Sequence, residues 1–146
     1  MLDTIVDDGL NPRFIHRSPV FRDELGSNQM LAPERLASHI VEAVDSFHAG
    51  DGRCADQIDI VRDLEIEYLA PVVGAGLIRI DVWLDAIDPT TCTYAFLCSS
   101  DDGMTPHARG QRMISRIDPM RLRPARWSSD FMERQSSIRK TLHSYS

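Results

Sequence analysis

The feature that most constrains this chain is a change of hydrophobic period partway along it. Between Pro33 and Phe47 the apolar residues recur at helical spacing. Leu36, Ile40, Ala43, Val44 and Phe47 form one stripe, while Glu34, Arg35, Ser38, Glu42 and Asp45 cover most of the rest. After "HAGDG", whose glycines can end a helix, the period becomes two. In "QIDIVRDLEIEYL" the residues Ile58, Ile60, Leu64, Ile66 and Tyr68 are expected to share a face, as are Ile78, Ile80, Val82 and Leu84 in "LIRIDVWLDAI". "TCTYAFLCSS" is apolar on both faces, which marks a central strand, and "ARGQRMISRID" supplies the last one. "RFIHRSPVF", Arg13 to Phe21, reads as a strand ahead of the helix, bent or pushed to an edge by Pro19, which lacks an amide donor.

The order is thus strand, long helix, then four strands at hairpin spacing. A sheet built of antiparallel pairs must hide one face, and a single long helix is available to cover it. The expected class is α+β: a five-stranded antiparallel sheet curved around one central helix that starts at Pro33. A short C-terminal helix follows in "SSDFMERQSSIRKTL", with Ser128 or Ser129 as its N-cap. A length of 146 residues suits one domain with one core. The expectation is therefore a single domain over residues 1–146, with 1–12 a loose lead-in and 127–146 the C-terminal helix and tail.

Charge and cysteine usage exclude several functions. Sixteen basic against 22 acidic residues give a net charge of −6, unlike a dedicated nucleic-acid surface. No apolar run approaches the roughly 18 residues needed to cross a bilayer. The opening "MLDTIVDDGLNPRF" has neither a basic region nor an apolar stretch, so no secretory signal is expected and the cytoplasm is the default location. Cys54, Cys92 and Cys98 form no C-x-x-C pair, which argues against a disulfide framework or a zinc site, and no metal is expected. Phosphate-loop, dinucleotide, zincin and nucleophile-elbow motifs are all missing. The arginines from Arg109 to Arg126 are either a solvated surface or a site for an anionic, phosphate-bearing ligand.

The stretch "FRDELGSNQMLAPER" holds the densest chemistry. Asp, Gly, Ser and Asn are ordinary turn formers, and acids ahead of a helix are stabilised by its dipole. The same turn also places carboxylates beside the unpaired amides of a helix N-terminus, which can stabilise a developing oxyanion. His39 leans toward the apolar stripe of the helix, where a hydrogen-bonded core role and a catalytic one are both open. Glu42, one turn further on, has a solvated helix face as its default.

The element order, "FRDELGSNQML", "LEIEYLAPVVGAGLIRIDVWL" and "HARGQRMISRIDPMRLRPARW" together resemble the hotdog-fold acyl-CoA thioesterases, and within them the 4-hydroxybenzoyl-CoA thioesterase-like branch. The resemblance runs from about Phe14 to about Met132. "FRDELGSNQML" is similar to that family's D-x-x-G-H-x-N turn between first strand and central helix. On that alignment Asp23 falls on the catalytic aspartate and Gly26 on the glycine. Ser27 stands where many members carry histidine, and Asn28 lies within a residue of the asparagine. Glu24 becomes the working carboxylate if the turn register shifts by one. The resemblance implies hydrolysis of an acyl-CoA or acyl-carrier-protein thioester. The carboxylate would serve as base or nucleophile, and Gly26 and the helix amides would serve the oxyanion. Ser27, Asn28 and His39 are lesser candidates. It implies no required cofactor beyond the coenzyme A that is part of the substrate, with Arg109 and Arg112 as candidates for its phosphates. It further implies a homodimer, which can pair into a tetramer, with no nucleic-acid or membrane partner. Two other functions stay open: a noncatalytic hotdog protein that binds an acyl ligand or serves assembly, and a thioester dehydratase or hydratase. The latter is disfavoured because "NQML" lacks the N-P-x-H run.

Overall fold

A computed structural model of the chain describes residues 3–6, 13–48 and 58–133. The elements in order are β1 (Asp3–Val6), β2 (Arg13–Val20), a 3₁₀ turn (Arg22–Glu24), α1 (Pro33–His48), β3 (Ile58–Tyr68), β4 (Gly76–Ile87), β5 (Thr91–Ser100), β6 (Pro106–Asp118) and β7 (Arg123–Pro124). The strands form one antiparallel sheet in the order β1-β2-β4-β5-β6-β3, with β7 paired to β6. Helix α1 lies over β2, β4 and β5. This is the curved sheet around one helix that the change of period requires.

The helix begins at Pro33, whose fixed φ suits the first helical position. Its stripe of Leu36, Ile40, Ala43, Val44 and Phe47 is buried, with Ile40, Ala43 and Val44 wholly out of solvent. The sheet meets that stripe with Phe14, Val20, Ile78, Ile80, Val82, Leu84, Tyr94 and Phe96. Rings interlock at the centre, where Phe14 stacks on Phe47 at 5.3 Å and Phe47 meets Tyr94 edge-on at 5.7 Å. Beyond α1 the expected glycine stop at Gly50 and Gly52 lies outside the described residues.

The structure departs from the sequence expectation in several places. Residues 3–6, expected as loose lead-in, form β1 against Arg13–His16, in keeping with the β-branched run Thr4, Ile5 and Val6. Because β1 covers only that half of β2, Pro19 lies beyond it, where β2 is again an edge and needs no further amide donor. The short β7 adds a seventh strand. In β3 a register shift between Val61 and Asp63 puts Val61 opposite Ile114 and Leu64 opposite Arg112. Positions 58 and 60 therefore fall out of the face expected to hold them with Leu64, Ile66 and Tyr68. A bulge inserts one residue and reverses the alternation.

At the C-terminal side, residues 129–133 are helical. Ser128 Oγ accepts from the Phe131 amide at 3.1 Å, the capping bond expected of Ser128. The remainder of the expected helix lies outside the described residues. Trp127 and Phe131 pack on His48, whose Nδ1 is 2.8 Å from the Tyr94 hydroxyl. Among the described residues no helix is long and apolar enough to cross a membrane.

Candidate functional site

The turn between β2 and α1 brings three elements to one point. The 3₁₀ turn Arg22–Glu24 follows β2 after Phe21, and Glu24 folds back so that its Oε2 accepts the Phe21 amide at 2.8 Å. A glutamate three residues past a helix entry can satisfy that otherwise orphaned donor. The other oxygen, Oε1, lies 2.8 Å from His39 Nε2. His39 in turn places Nδ1 2.6 Å from the hydroxyl of Ser18 on β2. Ser18, His39 and Glu24 thus form a continuous polar chain from strand through helix to turn.

The chain is shielded without being sealed. Ser18 is 2% exposed. The side chains of His39 and Glu24 retain 11% and 19%. Burial alone would raise the Glu24 carboxyl. The Phe21 amide, the His39 ring and the nearby Arg35 charge outweigh it and hold the group below its ordinary value. The carboxylate therefore stays ionised and available as an acceptor in a partly dry turn, although the same donors make it a weaker base than a free glutamate.

Asp23, the residue aligned with the resembled family's aspartate, points differently. It is exposed, and no hydrogen bond or ion pair engages it among the described residues. Ser27 is likewise exposed, with no side-chain partner among those residues. Asn28 shapes the turn itself, its Oδ1 accepting the Met30 amide at 3.0 Å. Gly26 donates to the Met30 carbonyl, and a Cβ there would come within 3.2 Å of the Asn28 side-chain oxygen. The loop closes on the β3–β4 connection through Leu31 N–H to Val72 and Gly74 N–H to Gln29.

Oxyanion donors can be sought among the amides left over. Pro33 supplies none, and the Arg35 and Leu36 amides both reach the Ala32 carbonyl. Among the described residues the amides of Ser27, Asn28 and Glu34 have no acceptor. Two of these belong to the turn, not to the helix on which the expectation placed them.

Beside the turn opens a cavity of about 520 Å³, walled by Gly26, Asn28, Met30, Leu36, Tyr68 and Val72 among others, with no charged residue in its lining. Glu24 and His39 are not themselves wall residues. Their nearest wall residues along the chain are Gly26, two positions after Glu24, and Leu36, one helical turn before His39.

The two arginines expected to hold coenzyme phosphates do not come together. Arg109 and Arg112 are three residues apart on β6, so the alternation of the strand sends them to opposite faces. Arg109 is 62% exposed and pairs with Glu67 at 2.9 Å. Arg112 is 7% exposed and lies 3.2 Å from Asp45 on the helix. They cannot grip one phosphate group. Among the described residues no cluster of three or more His, Cys, Asp or Glu could hold a metal ion. Ser18 escaped the sequence reading. The available signal was its register: Phe14, His16, Ser18 and Val20 share one buried face, and the serine is the small polar member.

No family model matches the chain, and no curated protein does. Solved structures do. A Staphylococcus aureus protein described as hypothetical, determined in complex with CoA, superposes with a TM-score of 0.81 at 13% identity, covering 90% of this chain and 87% of that one. The DHNA-CoA thioesterase of the same organism gives 0.78 at 14% identity, covering 90% and 94%. The 12:0-ACP thioesterase of Umbellularia californica gives 0.72 at 13% identity, covering 86% of this chain and 50% of that one. At these identities the likeness establishes the fold: the chain adopts the hotdog architecture.

Proposed function

We propose that the protein hydrolyses an acyl thioester, with Glu24 as the working carboxylate. The observation that carries this reading is the 2.8 Å contact between Glu24 Oε1 and His39 Nε2 beside an uncharged cavity. The resemblance to thioesterases of the 4-hydroxybenzoyl-CoA branch, and the naming of structurally similar proteins as thioesterases, support the reaction class. Acting as base, Glu24 removes a proton from water as the water oxygen bonds to the thioester carbonyl carbon. The carbonyl oxygen becomes an anion, received by the amides of Ser27, Asn28 or Glu34. Collapse of that intermediate breaks the carbon–sulfur bond, and the proton held by Glu24 goes to the departing thiolate. Acting as nucleophile, the carboxylate would itself bond to the carbonyl carbon and expel the thiolate, leaving a mixed anhydride for water to open. Both routes use the same residue.

The cavity favours a hydrocarbon acyl group. Walls of Met30, Leu31, Leu36, Leu69 and Val72 suit an aliphatic or aromatic chain and disfavour a second carboxylate, for which the lining offers no charged partner. Coenzyme A and a carrier protein both remain candidate carriers of the acyl group. The outer edge of β3 has no partner strand among the described residues, so pairing with a second copy along that strand is part of the proposal.

The test is release of free thiol from a panel of acyl-CoAs: aliphatic chains of increasing length, aromatic acyl groups, and a dicarboxylic acyl group as control. Turnover of the hydrocarbon members that falls by at least about 100-fold in Glu24→Gln and survives in Asp23→Asn supports the assignment. Loss in Asp23→Asn alone returns the role to Asp23. No release from any member, with tight acyl binding, makes this a noncatalytic acyl-binding protein. The imidazole–carboxylate pair also favours a second reading. Proton transfer at a carbon next to a thioester carbonyl can use the same imidazole-held carboxylate, and loss of enoyl absorbance on adding an enoyl-CoA would identify a hydratase.

A further inference from the structure

Both ring nitrogens of His39 are engaged, Nε2 with Glu24 and Nδ1 with Ser18. That leaves the imidazole no nitrogen for a substrate, so it can serve the reaction only through the carboxylate it holds. Its own protonation pattern follows from its neighbours. An ionised carboxylate accepts and cannot donate, so Nε2 must carry the hydrogen. In the neutral ring Nδ1 is then a bare acceptor, and the Ser18 hydroxyl is the donor that faces it at 2.6 Å.

From this we infer that Ser18 is a positioning residue. The Glu24 carboxylate sets the Nε2–H tautomer, and the Ser18 hydroxyl on Nδ1 holds the ring in the orientation that keeps that hydrogen on Glu24 Oε1. As catalysis, the role rests on the thioesterase reading; as restraint of the imidazole, it stands apart from it.

Ser18 is well placed to do this. Its backbone lies in the β2–β4 ladder opposite Ile78, and its side chain is buried. The hydroxyl therefore arrives at Nδ1 from a rigid strand, while His39 comes from the helix and Glu24 from the turn. Without the hydroxyl, Nδ1 would be left buried and unpartnered. The ring, then held by Glu24 alone, would be free to tilt out of line with the carboxylate. The Nε2–H bond to Oε1 would weaken, and Glu24 would lose a fixed donor there. Phe21 would remain its sole described hydrogen-bond partner.

The experiment is long-range proton–nitrogen NMR of His39 in the full chain at neutral pH, on wild type, Ser18→Ala and Ser18→Thr, with kcat and KM measured on the same samples. Wild type should show a neutral ring protonated at Nε2. Ser18→Thr, which keeps the hydroxyl on a strand-compatible side chain, should retain that pattern and turn over within about threefold of wild type. Ser18→Ala should keep the hydrogen on Nε2 but exchange it at least about tenfold faster with water, and show a turnover number lower by about tenfold or more, with KM within about threefold. A wild-type ring protonated at Nδ1, or on both nitrogens, overturns the inference, and this readout does not depend on any variant folding. An Ala variant whose Nε2–H exchange and turnover number both match wild type also overturns it, since a purely space-filling serine predicts that result. If wild type shows the expected tautomer but no thioester turnover, the catalytic reading fails and Ser18's control of His39 stands.

Discussion

The Glu24 carboxylate and the His39 imidazole meet at 2.8 Å although 15 residues separate them in the chain. Between the two lie a 3₁₀ turn, a loop pinned to the β3–β4 connection, and the first turns of α1. The acid–base behaviour of the site follows from that contact.

Because the Glu24 carboxyl is held below its ordinary value, turnover by a Glu24 base should be flat through neutral and mildly acidic pH. It should fall only below the usual glutamate range. Stability follows the same sign. A depressed folded-state value contributes stability above the unfolded value, and that contribution is lost as pH falls through the folded one. Urea melts of wild type and Glu24→Gln at a series of pH values should therefore diverge above the ordinary glutamate range and converge in acid. Parallel curves at all pH would show that the carboxyl is not held this way.

Gly110 on β6 has no room for a side chain. A Cβ there would fall on the Glu65 carbonyl of β3 and touch the Phe96 ring at 3.0 Å. Neither the backbone carbonyl nor a core ring can swing aside cheaply. Gly110→Ala should cost about 3 kcal/mol or more in denaturant unfolding, at the upper end for overpacking.

The helix stripe should behave as the centre of the core. Ile40 is wholly buried between helix and sheet, so Ile40→Ala is expected to cost about 2–5 kcal/mol by the same measurement. A loss under about 1 kcal/mol would mean that the helix does not seat where the sheet receives it.

Cys98 is fully buried on β5, and burial together with the Asp81 charge pushes its thiol up to about 12. It should resist maleimide at mildly alkaline pH while the protein is folded and react on unfolding, as mapped by peptide mass spectrometry. Labelling of Cys98 in the native state would show that β5 opens locally.

Much of this architecture was legible because two periods do not mix. A 3.6-residue stripe opening on Pro33 and alternating runs bounded by turns left one compact arrangement, and the helix starts where the proline says it does. What escaped depends on pairing across the sheet. Nothing local in "DIVRDLE" announces the extra residue that reverses the face of β3 after Val61. Arg109 and Arg112 look adjacent in sequence and part company because a strand alternates every second residue. In the turn, Asp23 and Glu24 are chemically alike, and what separates them is the fold-back of Glu24 to the Phe21 amide and its contact with His39. Ser18 could be recognised as inward-facing, but its partner was set by how the helix lies over β2.

Ser18, His39 and Glu24 all belong to one polypeptide, so their proton-handling network should persist on dilution to any concentration at which a lone subunit stays folded. Specific activity that drops on dilution would then report on a substrate cradle completed by a neighbouring copy, and leave the acid–base network intact.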